Sequence, residues 1–204
     1  MNPMAKISLL ENDMGVEDLC EKLIGNNEIS GIVISLDEEV DIYTAVKISK
    51  KYSSDKLFCS YSISLGTRFF LFYDNKYIKL SEILDTDNKS FKEKLIKIKN
   101  LHPYIFVILV ILREKFSSNA NETKTELLEI SKEIRFSPKL TCEELTNVYN
   151  YFNEFWGTTI SPISSIAGGL LCQEVTKSCT QETSDYCCCV FDMDSCEAVT
   201  AIIK

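Results

Sequence analysis

Hydrophobic positions along this chain change period several times, and each change marks an element. Val16, Leu19, Cys20 and Leu23 recur at i, i+3, i+4 and i+7. That is one face of a helix, and Gly25 suits its C-terminal stop. Residues 31–36 (GIVISL) form a short continuous apolar run of the kind found in parallel strands covered on both faces. A helix opened at Asp37 and reaching about Lys51 follows, with Ile42, Ala45 and Val46 on its inner face. Residues 56–63 read as the next strand. Together these segments predict a β-α-β unit with parallel strands and a right-handed crossover. Beyond Gly66, two strands over residues 68–73 and 76–80 flank Asp74-Asn75, a dipeptide that fits a two-residue hairpin. The sheet is expected to turn from parallel to antiparallel there.

The middle of the chain carries helical periods. Residues 90–99 are charged and amphipathic. Residues 104–112 (YIFVILVIL) form the longest apolar run. It falls well short of the roughly 20 residues that span a bilayer. A buried helix over 103–116, with Pro103 in its first turn, is the better reading. A polar loop follows over 117–123 (SSNANET). Leu127, Ile130 and Ile134 mark another helix. Thr141 with Glu144 forms a capping box for a further one, which carries Leu145, Val148, Tyr149, Phe152 and Trp156 on one face. A last helix begins with Ser161 as N-cap and Pro162 in its first turn. Two strands, over 186–193 and 198–203, close the chain. The pattern predicts an α/β fold with a central, partly parallel sheet flanked by helices.

The helix from Pro162 to Ser178 is unusual. Ile163, Ile166, Ala167, Leu170 and Leu171 form a bulky apolar face. Nearly opposite lie Ser165, Gly168, Gly169, Cys172 and Thr176, all small. Two mid-helix glycines cost about 2 kcal/mol relative to alanine. Close approach of another backbone would offset that cost. The helix is therefore expected to be covered on two sides, by its own sheet and by a neighbouring element or subunit. Those five small residues are the packing or partner-interface candidates. Glu174 falls on the apolar stripe, and a largely buried carboxylate normally has a partner. Lys177 at i+3, or a backbone amide, can serve, so a structural pair is favoured over a catalytic acid. Gly168-Gly169 lies inside a helix rather than between a strand and a helix, so it is not a phosphate loop.

Composition narrows the chemistry. The 204 residues carry a formal net charge of -8 and no basic run, which sets nucleic acid aside. Nine cysteines are an odd count at irregular spacing. Cys187, Cys188 and Cys189 are adjacent, and in a strand they point to alternating faces, suiting neither a zinc cage nor a disulfide. Free structural thiols in a reducing compartment are expected. The single histidine, His102, precedes a helix-starting proline and reads as solvent-facing or loop-bonded rather than as a general base. Asp192 and Asp194 read as a turn rather than as a cation site. No residue here is expected to be catalytic, cofactor-binding or metal-ligating.

The last helix and the strand after it carry a family resemblance. Pro162, Gly168, Gly169, Gln173, Glu174 and Lys177, with an aromatic strand containing Phe191-Asp192 beyond them, resemble the C-terminal signature of the ThiF-type adenylating fold of ubiquitin-like-modifier activating enzymes. Residues 104–115, a polar loop, two amphipathic helices and the proline helix come in the order of the SUMO-activating small subunit. Residues 79–85 (KLSEILD) are similar to the stretch that re-enters the fold there. Residues 31–73 are similar to its strand-helix-strand-Gly-strand half. The departures are equally informative. None of the seven glycines shows the G-x-G-x-x-G spacing of the family's nucleotide turn. There is also no room between Leu80 and Pro162 for a catalytic-cysteine domain.

The resemblance implies that residues 1–204 correspond to the C-terminal part of a single ThiF-type domain. Residues 81–160 would be a helical insertion within it, and the N-terminal nucleotide-binding part would be absent. It implies the small subunit of a heterodimer located in nucleus and cytoplasm. Its partners would be the large catalytic-cysteine subunit and, through the complex, the modifier itself, with no membrane and no nucleic acid. ATP and Mg2+ would sit on the partner subunit, which adenylates the modifier's C-terminal glycine. This chain alone would be inactive. The short insertion favours SUMO over the neddylation enzyme's regulatory subunit, which carries a larger one. Two readings compete: a catalytically inert ThiF-like interaction module, and an unrelated small α/β ligand-binding domain, which would be monomeric.

Overall fold

A continuous apolar run is typical of strands covered on both faces of a sheet. The computed structural model describes residues 18, 31–36, 42–52, 58–74, 78–98, 101–117, 129–134, 136–180, 182 and 186–201. The helix expected over 16–25, apart from Asp18, the first turn of the helix expected from Asp37, Leu127 and the polar loop after residue 117 lie outside them. Strand β1 (Gly31–Leu36), helix α1 (Ile42–Tyr52) and strand β2 (Phe58–Leu65) come in that order. β1 and β2 pair in parallel, from Gly31 opposite Phe58 to Leu36 opposite Ile63. This corrects the expectation of cover on both faces: β1 is an edge strand, and among the described residues only one face is covered, with Ile34 and Leu36 buried and Val33 46% exposed.

Strand β3 (Arg68–Asp74) returns antiparallel to β2, with Leu65 opposite Arg68. The two-residue turn is thus Gly66-Thr67. Gly66 has φ +68°, in the left-handed region that glycine enters without strain. A Cβ there would also lie 2.9 Å from the Tyr151 hydroxyl. The strand expected to pair with β3 across Asp74-Asn75 is not found among the described residues: both sides of β3 are taken by other strands. Asp74 is buried and its carboxylate accepts from the Leu80 amide (2.6 Å), Ser49 Oγ (2.8 Å) and Tyr61 Oη (3.1 Å). That carboxylate turns the chain out of the sheet and into helix α2 (Leu80–Leu84), so residues 78–80 are not a strand. The antiparallel place beside β3 goes to a strand from the far end of the chain.

Helices α3 (Asn88–Lys97), α4 (Pro103–Ser117) and α5 (Cys142–Glu154) come next. Every residue from Ile105 to Leu112 in α4 is buried, as its unbroken apolar run predicts. Arg113 is also buried and donates to the carbonyls of Leu84 (2.9 Å) and Thr86 (2.6 Å), fastening the α2–α3 turn to α4. Thr141 and Glu144 form the reciprocal cap of α5, at 3.2 and 2.7 Å. Helix α6 (Ser161–Cys179) leads to strands β4 (Cys188–Asp192) and β5 (Glu197–Ala201). Among the described residues no helix is long and apolar enough to cross a membrane.

The sheet is open and mixed, in the order β1-β2-β3-β4-β5, with one parallel pair and three antiparallel pairs. The chain therefore has an α/β fold. Period-two alternation divides the core into two. On one face Tyr61, Ile63, Phe70, Phe72 and Val190 pack with α1 to α5. On the other, Phe69, Leu71, Tyr73 and Cys189 pack with α6, Tyr186 and Met193. Phe69 to Tyr73 are all buried, each contributing about 2–3 kcal/mol of apolar burial.

Candidate functional site

Helix α6 lies on the sheet with its bulky stripe inward. Ile163 is fully buried, and Ile166, Ala167, Leu170 and Leu171 are packed against Phe69, Leu71, Tyr73 and Cys189. The opposite stripe, Ser165, Gly168, Gly169, Cys172 and Thr176, is exposed at every position. A Cβ built on Gly168 or Gly169 would meet nothing within 4 Å. Of the two covers expected, the sheet is present, and no neighbouring element of this chain supplies the second among the described residues. Among the described residues only the sheet covers it, and none of their backbone approaches the glycines. The hydroxyls on the stripe turn inward: Ser165 donates to the Ser161 carbonyl at 3.1 Å and Thr176 to the Cys172 carbonyl at 2.8 Å. Such back-bonding satisfies the hydroxyls within the helix. What remains outside is a smooth surface of small side chains and bare backbone.

Glu174, one turn before the end of that helix, is 2% exposed. Lys177 Nζ donates to its Oε1 at 2.7 Å, and Tyr186 Oη donates to the same atom at 3.0 Å. The Lys177 ammonium also stands over the Tyr186 ring, 5.7 Å from its centroid. Burial, and then the bond to Glu174, push the Tyr186 hydroxyl above the usual phenol range. The triad ties the last turn of α6 to the segment entering β4. A carboxylate this enclosed is out of reach of a substrate arriving from solvent. Tyr186 could not be assigned to Glu174 from spacing, because the two lie twelve positions apart in sequence.

The turn after β4 holds the group that sequence reasoning missed. Arg68 opens β3 directly opposite Asp192 of β4. Its Nε donates to Asp192 Oδ2 at 2.8 Å, and its guanidinium lies over Tyr151 (4.8 Å) and Tyr104 (5.3 Å). The ion pair is shielded, with side chains 16% and 10% exposed. Burial works against the Arg68 charge, but the hydrogen bond and charge of Asp192 outweigh it and leave Arg68 above its ordinary value. Asp192 Oδ1 accepts the Asp194 amide at 2.9 Å, and Asp194 accepts from Thr67 Oγ1 at 2.9 Å. These two carboxylates thus shape a turn and hold an arginine. Among the described residues no group of three or more His, Cys, Asp or Glu could hold a metal ion.

The remaining candidates fall into place by burial. Cys188 and Cys189 point to opposite faces of the sheet, into the two separate clusters. Hydrogen bonding to Cys187 and burial hold the Cys188 thiol well above its ordinary value, and burial lifts Cys189 to about 11. Neither is a thiolate at neutral pH. Cys142, Cys172 and Cys196 are exposed free thiols. His102 Nδ1 accepts the Tyr104 amide at 3.2 Å, a loop-bonded histidine, with burial holding it below its ordinary value. Trp156 is half-buried under Lys115, whose ammonium lies 4.7 Å from its ring centroid. The chain matches no protein-family model and no curated protein sequence.

Proposed function

We propose that this chain is the small, cysteine-domain-lacking subunit of a ubiquitin-like-modifier activating enzyme of the SUMO type, built on the ThiF-type fold. In this reading it completes a heterodimer whose large subunit binds ATP and Mg2+ and adenylates the C-terminal glycine of the modifier. The observation that carries the reading is the outer face of α6. The residues of the family-like segment fold into one helix whose Gly168-Gly169 side has open space where side chains would stand. Helix interiors disfavour glycine by about 1 kcal/mol each, and a second subunit lying close against that backbone recovers the loss through packing. The chain's contribution is thus a docking surface held rigid by the sheet beneath it. Glu174, enclosed by Lys177 and Tyr186, fixes the helix end and takes no part in chemistry.

Co-expression with a SUMO-type large subunit tests this. A stable one-to-one complex that forms the modifier thioester in an ATP-dependent manner is the expected result. A bulky Gly168→Leu change should abolish co-purification while the circular dichroism of the isolated chain stays native. Failure of the wild-type chains to co-purify, with both folded, overturns the proposal. A complex that forms but leaves ATP–pyrophosphate exchange at the level of the large subunit alone favours the inert interaction module instead.

A further inference from the structure

On the face of the sheet away from α6, a cleft of about 450 Å3 opens between β4, β5, the start of α4 and the start of α5. Its volume lies in the range of about 300–1,000 Å3 typical of ligand sites. The apolar part of its wall comes from Val148, Val190, Val199 and Leu140. Its charged groups are Glu144, Asp192 and Glu197, and among the described residues no lysine or arginine lines it. The three carboxylates differ in what they still offer. Asp192 has both oxygens engaged, by Arg68 and by the Asp194 amide. Glu144 uses one oxygen to cap α5 and keeps its charge at the mouth. Glu197, at the head of β5, is exposed and forms no ion pair or side-chain hydrogen bond among the described residues. His102 adds no positive charge at neutral pH, because burial lowers it below its ordinary value.

An apolar wall with unneutralised carboxylates at its mouth is complementary to a side chain with an aliphatic stem and a cationic head. Lysine and arginine have that construction, burying the stem and keeping the head at the polar rim. We propose that this cleft is a docking site for an extended peptide segment of a partner protein carrying a lysine or arginine beside an aliphatic residue. The aliphatic side chain fills the Val148–Val190–Val199 wall, and the cation meets Glu197 with Glu144 at the mouth. The cleft lies on the face of the sheet opposite the outer stripe of α6, so the site does not rest on the activating-enzyme reading.

Fluorescence polarisation with the whole chain tests it, using a labelled Gly-Val-Leu-Arg-Val-Gly peptide and its counterpart with glutamate in place of arginine. The basic peptide should bind, and the acidic one should bind at least about tenfold more weakly. Glu197→Lys, at an exposed position, should weaken the basic peptide about fivefold, and Asn147→Trp, which fills the cleft, should remove binding. Glu129→Lys, also exposed and not part of the cleft lining, should leave it unchanged. Equal binding of both peptides, no binding of the basic peptide at millimolar concentration, or indifference to Glu197→Lys overturns the site. So does competition by butylamine at the concentration of the peptide itself, which marks a site for small amines rather than for a segment. Circular dichroism of each variant separates loss of binding from loss of fold.

Discussion

Replacing Gly168 and Gly169 by alanine separates two accounts of the outer helix. A glycine packed tightly within its own chain makes the change destructive, because a methyl group then overlaps a neighbour. Here both positions are helical, neither has a positive φ, and an added Cβ meets nothing within 4 Å. Each change should therefore stabilise the isolated chain by about 0.4–1 kcal/mol, through helix propensity and a less disordered unfolded state. The two positions are solvent-facing and share no partner, so their effects add. The double variant gains about 1–2 kcal/mol, which for a chain of this size raises Tm by about 2–8 °C. Urea unfolding followed at 222 nm should show a higher midpoint at unchanged slope. A lower or unchanged midpoint would refute the conclusion that this face is open. The same variant should bind the large subunit more weakly than wild type, because the methyl groups occupy the space a close neighbour requires.

Other consequences arise from buried polar groups. Arg68→Met leaves Asp192 shielded with only the Asp194 amide, and should cost about 3 kcal/mol in chemical denaturation; a loss under 1 kcal/mol would show the pair to be solvated. Glu174→Ala strips the acceptor from Tyr186 and Lys177 and should cost about 2–3 kcal/mol, while Glu174→Gln, whose amide oxygen still accepts from Tyr186, should cost less. The reverse order would remove the acceptor role. Burial, and then Glu114, push Tyr149 up to about 12, against about 10 in the unfolded chain. The folded state holds a proton that the unfolded state releases. Stability from this group is therefore complete below pH 10 and is lost as pH rises toward 12. Burial raises Tyr61, Tyr73 and Tyr186 in the same direction. Absorbance at 295 nm should show these tyrosines ionising together with unfolding, and ionisation well ahead of it would contradict their burial.

Local signals make the first half of the sheet legible. The run GIVISL, a helical period and a second strand suffice for a parallel pair, since each step depends on residues close in sequence. The alternating destination of Cys188 and Cys189 comes from the two-residue period alone. The dipeptide Asp74-Asn75 misleads because turn preference is weak beside tertiary demand. The buried Asp74 carboxylate is recruited by Ser49 and Tyr61 and caps the next helix. Arg68 with Asp192 is illegible for a different reason. The pair exists only once β3 and β4 are in register across 124 residues, and no local pattern encodes that register. At the candidate site, the division of α6 into bulky and small stripes is readable from periodicity, but the surroundings of the small stripe are not.

Strand β3 has a further consequence. Between its first and last residues it is apolar on both faces, so hydrophobicity alone barely distinguishes one alignment of the strand from another displaced by two residues. Its ends make the distinction. Arg68 meets Asp192 at one terminus and Asp74 meets Ser49 and Tyr61 at the other. Sliding the strand by two places in either direction would pull both side chains off their partners while keeping them enclosed, a penalty of several kcal/mol for a buried polar group left unpaired. The two terminal polar residues serve as end stops. The aromatic middle supplies adhesion, and the termini supply the alignment that places α6 and the cleft on opposite sides of one sheet.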